Sequence, residues 1–131
     1  MTSYDTVWTV FLNNCKTEDI SVPTTEDKIY DCLNNALLHF NNRLRTTLTG
    51  DNSTELFSEE LDGDSLLILA HYIRLILLKN ELTYYTTVSQ PFLKEIGMKN
   101  YKDQVNSFQY LINDCKSTID ELILNTEEDF L

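Results

Sequence analysis

Glycine occurs three times and proline twice in 131 residues. Such scarcity excludes collagen-like and low-complexity chains and argues for long helices over a turn-rich β-sandwich. Basic residues are also few: ten Lys and Arg stand against 21 Asp and Glu, a net charge of −11. A surface of that sign does not grip a phosphate backbone, which needs cations. The three cysteines, Cys15, Cys32 and Cys115, form no Cys-x-x-Cys pair and have no paired histidines beside them. Neither a disulfide framework nor a zinc site is expected, and reduced thiols in an intracellular setting are. The first residues, Met-Thr-Ser-Tyr-Asp-Thr-Val-Trp, lack the basic and apolar blocks of a secretory signal. There is no Gly-x-Gly-x-x-Gly and no Gly-x-x-x-x-Gly-Lys to cradle a phosphate.

What is present is hydrophobic patterning. Leu66–Leu78 is a run of thirteen residues broken only by His71 and Arg74. It falls short of the roughly 18 to 20 residues that cross a bilayer. A helix apolar on nearly every side must be packed on nearly every side, so the run predicts a central helix that others wrap. One domain spanning residues 1–131 is expected from the length.

Ser3 or Thr2 caps a first helix over Tyr4–Cys15, whose Tyr4, Val7, Trp8, Phe11, Leu12 and Cys15 make one apolar stripe. Lys16–Pro23 reads as a polar connector. Thr24 to Asp27 has the spacing of a capping box and starts a second helix that ends near Leu44, with Ile29, Leu33, Ala36, Leu37, Phe40 and Leu44 facing inward. Residues 46–63 form an acidic segment without helical period. Its tip falls at Gly50–Ser53, and Thr46–Thr49 and Thr54–Ser58 either pair as a small hairpin or stay irregular. Asp62 or Asp64 caps the central helix, predicted to run from Ser65 to about Tyr84 and to fray over the β-branched and aromatic Thr83–Val88. Pro91–Ile96 reads as a short helix stopped by Gly97. Asn100 then caps a last helix whose seam, Val105, Phe108, Ile112, Cys115, Ile119 and Leu122, packs antiparallel on the central one. Residues 126–131 close the chain as an acidic tail ending in Phe130 and Leu131. The fold class expected is therefore mainly α: a small bundle of about four main helices, with a loop or β-hairpin between the second and third.

No residue set carries catalysis. His39 and His71 are isolated on helices without the partners a general base needs, so no enzyme activity, cofactor or metal is expected. Glu59, Glu60, Asp62 and Asp64 miss the spacing of a calcium loop. Arg74 inside an apolar run calls for a carboxylate or an escape to the surface, and an intersubunit ion pair is one way to supply the first. Tyr84, Tyr85, Phe92 and Phe130 lie outside the core stripes, where aromatics favour interfaces.

The order Phe57-Ser-Glu-Glu-Leu61, then Leu66-Leu-Ile-Leu-Ala-His-Tyr72, then Ile96-Gly-Met-Lys-Asn-Tyr-Lys102 resembles the neck or head–tail connector (adaptor) proteins of tailed bacteriophages. The likeness spans residues 25–125. Gly50-Asp51 fits the loop such proteins carry between their second and third helices, whereas Thr83-Tyr84-Tyr85 stands where a shorter turn belongs. The resemblance implies a virion protein at the head–tail junction, made in the bacterial host cytoplasm. It further implies a ring of about twelve copies, a closed cyclic assembly, docked on the portal protein and other neck or tail proteins. Genomic DNA would pass through that ring without sequence-specific binding. Under that reading Glu127, Glu128, Asp129, Phe130 and Leu131 dock on the portal, and Arg74, Tyr84, Tyr85, Asp51 and Glu55 belong to the interface with a neighbouring copy or neck protein. The competing expectation, from charge alone, is a small acidic intracellular inhibitor that mimics DNA or masks a basic partner.

Overall fold

In the computed structural model, which describes residues 1–128, the chain is mainly α and its elements follow one another as α1 (Tyr4–Asn14), α2 (Glu26–Leu44), β1 (Gly50–Asp51), β2 (Leu56–Phe57), α3 (Gly63–Ser89), a 3-10 turn (Gln90–Phe92), α4 (Leu93–Ile96) and α5 (Met98–Glu128). The apolar run lies inside α3. From Ile68 to Leu78 every residue is buried except His71 and Ile76, which are half-buried. That pattern is possible only because α1, α2 and α5 all pack on this one helix. Ile73, Leu69 and Leu78 are fully enclosed, together with Val7 and Phe11 of α1 and Leu33 and Ala36 of α2.

The helix ends follow local chemistry. Ser3 caps α1, its hydroxyl accepting from the Thr6 amide at 3.1 Å. Asp62 caps α3, its carboxylate accepting from the Ser65 amide at 2.7 Å. The capping box expected at Thr24 does not form: Thr25 is the cap residue and makes no side-chain cap bond, while Glu26 takes the hydroxyl of Tyr30 one turn on, at 2.6 Å. The second helix ends at Arg45 in the left-handed conformation (φ 58°). Asn41 holds that exit, donating to the Leu48 carbonyl and accepting from the Thr46 hydroxyl and the Leu48 amide.

Three boundaries differ from the sequence-based expectation. The central helix does not fray at Thr83–Val88 but runs to Ser89. Tyr85 stacks on Tyr101 at 5.8 Å and meets Phe108 at 5.9 Å, so packing against α5 overrides the weak helix propensity of this stretch. The last helix starts at Met98, two residues before Asn100, because Gly97 (φ 85°) stops α4 and its carbonyl already accepts from the Tyr101 amide. Asn100 instead donates to the Ile96 carbonyl. At the other end α5 continues through Thr126 to Glu128, so the first residues assigned to an acidic tail are helical.

The third and fifth helices form an antiparallel hairpin. Its pairing is fixed by Tyr85 against Tyr101 at one level and by the Cys115 thiol donating to the His71 carbonyl (3.3 Å) at another. The expected seam is present, with Ile112, Cys115 and Ile119 buried and Ile123, rather than Leu122, completing it. Leu12, assigned to the core from its spacing, is instead exposed. Truncating Ile73 to Ala should cost about 2 to 5 kcal/mol in chemical denaturation, because a cavity opens where neighbours on all sides are fixed. Leu12→Ala should cost about 0.5 kcal/mol or less.

Candidate functional site

Arg74 is buried, and its charge is met inside the chain. Its guanidinium is bidentate on Asp19, Nη1 to Oδ1 at 2.8 Å and Nη2 to Oδ2 at 3.1 Å, and Nη1 also donates to the Lys16 carbonyl at 2.7 Å. The assignment of Arg74 to an intersubunit contact is thereby corrected, since a cation enclosed and already paired this way has nothing to offer a neighbour. The connector Lys16–Pro23 gains a second tether where the Ser21 amide donates to Glu81 at 2.7 Å. These bonds hold Cys15 and Ile20 against α3, both at the edge of full burial.

Beside this clamp, a groove of about 720 Å³ opens between residues 21–25, α2 and α3. Val22, Ile76 and Tyr84 give it apolar surface, and Lys28, Asp31 and Glu81 give it mixed charge. Burial pushes the Cys32 thiol there up to about 12, far from a thiolate nucleophile. Nothing in that lining pairs a nucleophile with a base. Among the described residues no three His, Cys, Asp or Glu side chains come together to hold a metal ion. His39 stacks on Tyr72, and the Nδ1–H of His71 donates to the Leu67 carbonyl. No described helix is long and apolar enough to cross a membrane.

The acidic segment is a hairpin, with β1 directly after the predicted flank Thr46–Thr49 and β2 within Thr54–Ser58. Gly50 pairs with Phe57 and Asp51 with Leu56, so the tip is Asn52–Glu55 and not Gly50–Ser53. Gly50 is required by close approach: a Cβ there would meet the Tyr4 hydroxyl at 2.5 Å. That hydroxyl donates to Asn52 at 2.8 Å, and Asn34 of α2 donates to the same oxygen at 3.0 Å. Thr2–Tyr4 runs beside β2, with the Phe57 amide donating to the Thr2 carbonyl and the Tyr4 amide to the Glu55 carbonyl, each at 2.8 Å. Asp51 is exposed and accepts from the Ser53 hydroxyl and amide, contacts that hold its carboxyl below the usual range.

The residues expected at interfaces are therefore dispersed. Tyr84 is 68% exposed on the groove rim, Tyr85 is packed within the chain against α5, and Asp51 and Glu55 shape the hairpin tip, which closes on Tyr4 and on Asn34 of α2. The backbone of Glu127 and Glu128 completes α5, and Asp129, Phe130 and Leu131 lie outside the described residues. Sequence reasoning missed Asp19, Asn34, Asn41 and Thr2. Asp19, Asn34 and Thr2 meet partners far away in the chain, Asn41 ties the turn that follows its own helix, and no periodicity marks such residues.

The profile of the YomZ prophage protein family matches residues 1–128. The chain belongs to that family. It is 50% identical over 131 residues, the whole of both chains, to the SPbeta prophage-derived uncharacterized protein YomZ of Bacillus subtilis (strain 168). No solved structure matches it. Membership of the YomZ prophage family agrees with the phage origin that the resemblance implies, and the match takes in the hairpin, the Arg74 clamp and the described length of α5.

Two outcomes test this geometry. Arg74 holds the Asp19 carboxyl below the usual carboxylate range, so the pair stabilises the fold above the unfolded value of about 4 and that contribution is lost as pH falls through the lower folded value. Asp19→Asn should lower stability at neutral pH by about 2 kcal/mol, because it leaves Arg74 enclosed without a counter-charge, and should flatten the acid limb of the stability curve. Burial also raises the thiols of Cys15 and Cys32 to about 12 and that of Cys115 to about 11. A thiol reagent at mildly alkaline pH should leave all three unmodified in the native chain and label all three once denaturant is added.

Proposed function

We propose that this chain is a non-enzymatic structural protein of the phage particle, a head–tail connector that docks on the portal and passes DNA. The observation that carries the reading is the layout of charge on a prophage-family helical rod. Between Arg45 and Arg74 there are six carboxylates, Asp51, Glu55, Glu59, Glu60, Asp62 and Asp64, and no Lys or Arg. Asp51 and Glu55 lie in the hairpin, and Glu59, Glu60, Asp62 and Asp64 cluster where the chain enters α3, so the first end of that helix is strongly negative. Such a surface repels the phosphate backbone, and a channel lined by it lets DNA slide where a basic lining would hold it. Glu127–Leu131 adds further carboxylates with two apolar residues at the terminus, suited to a basic portal surface with an apolar pocket.

The same run of carboxylates favours one alternative, an acidic inhibitor that covers the nucleic-acid site of a host or phage protein. The two readings part at the particle. Mass spectrometry of purified virions should find the chain at a fixed ratio to the portal, and truncation after Asn125 should abolish its copurification with portal protein. Undiminished portal binding by the truncated chain overturns the docking role of the tail. Absence from particles, together with a soluble one-to-one complex with a cytoplasmic protein, establishes the inhibitor instead.

A further inference from the structure

The lysines are as unevenly placed as the carboxylates. Lys94, Lys99 and Lys102 fall within nine residues at the turn joining α3 to α5, with Glu95 as the only acid among them, and all three are exposed. None is in an ion pair among the described residues, where the cations that do pair are the N-terminus, Arg43 and Arg74. Phe92 and Met98, each about half exposed, stand in the same turn, with Val88 just before it. The tip of the helical hairpin is thus basic and apolar in a chain that is otherwise acidic.

The opposite end carries the larger share of exposed carboxylates, with Arg43 tied to Asp120 and Arg45 beside it. Glu59, Asp62 and Asp64 at the start of α3 are exposed, and antiparallel pairing brings Glu121 and the exposed Leu124 of α5 to that end. A helix of 27 residues holds the two ends about 40 Å apart. Screening acts over about 8 Å at physiological salt, so neither end can neutralise the other within one molecule. A second copy brought end to end satisfies both at once.

We propose that the lysine turn, through Lys94, Lys99, Lys102, Phe92 and Met98, docks on the acidic end of a second copy, at Glu59, Asp64, Glu121 and Leu124. The contact joins two different surfaces and is heterologous, so each copy keeps one free surface of each kind and the assembly grows until it closes or forms a filament. This deepens the connector reading by naming the contact between copies, yet it rests on the charge layout and stands or falls without the portal.

Salt gives the contact a distinctive sign. Two chains of charge −11 repel overall, so non-specific association would strengthen as salt is added, whereas opposed ends that attract weaken. Sedimentation of the full chain should show oligomers at about 0.05 M NaCl that dissociate towards monomer at about 0.5 M, with at least a tenfold weakening. The triple variant K94E/K99E/K102E and the triple variant E59K/D64K/E121K should each be monomeric, with helical circular dichroism and melting temperature retained. Mixed in equal amounts, the two should associate again, because one now has two negative ends and the other two positive ones.

A wild-type chain that is monomeric throughout, association that grows with salt, or variants that associate as well as wild type would overturn the proposal. Lysine-dependent binding to vesicles of anionic lipid, with no self-association, would assign the turn to a membrane surface instead. Head-to-tail assembly in a chain that is absent from virions would sink the connector reading and leave this contact standing.

Discussion

The middle of α3 can exist only if it is enclosed, and the other elements are arranged to meet that condition. From Ile68 to Leu78 the helix has no polar face to give to water. Three helices therefore pack on it, and the one charged residue in the stretch must find its counter-ion inside. Arg74 finds Asp19, and in doing so fixes the path of the chain between α1 and α2. A segment that reads as a polar connector thus closes one side of the core. The mixed groove beside it follows from the same clamp, since residues 21–25 are held where they form its wall.

The same helix separates the ends of the molecule. Its length, and the antiparallel packing of α5 along it, place the carboxylates of residues 59–64 at one end and the lysine turn at the other. The three thiols are buried, Arg74 is paired within the chain, and His39 stacks on Tyr72.

Much of the fold was legible in the sequence because it depends on local signals. The α1 stripe, the Ser3 and Asp62 caps, the glycine stop at Gly97 and the seam through Ile112, Cys115 and Ile119 all appear as spacing or residue type. What was not legible depends on partners far away in the chain. Thr83–Ser89 is helical because Tyr85 meets Tyr101 and Phe108, and nothing in the stretch itself announces that. The strand register of the hairpin is set by Tyr4 and Asn34 closing on Gly50 and Asn52, 18 to 48 residues apart. The candidate interface residues are dispersed over the structure. On its sequence Arg74 calls for a carboxylate or an escape to the surface, and that Asp19 supplies the carboxylate within the chain is a fact of the tertiary structure.

The central claim is that the middle of α3 is the element on which all the others depend. Native-state hydrogen exchange, followed residue by residue, tests it most directly. The amides of Ile68–Leu78 should be the last to exchange, opening only with global unfolding. Tyr84–Ser89 should be protected along with the facing turn of α5, and the 16–22 segment should open earlier without releasing the core. Exchange at Ile68–Leu78 that runs ahead of α5, or a collapse of protection throughout α3 when only the 16–22 segment opens, would contradict the account.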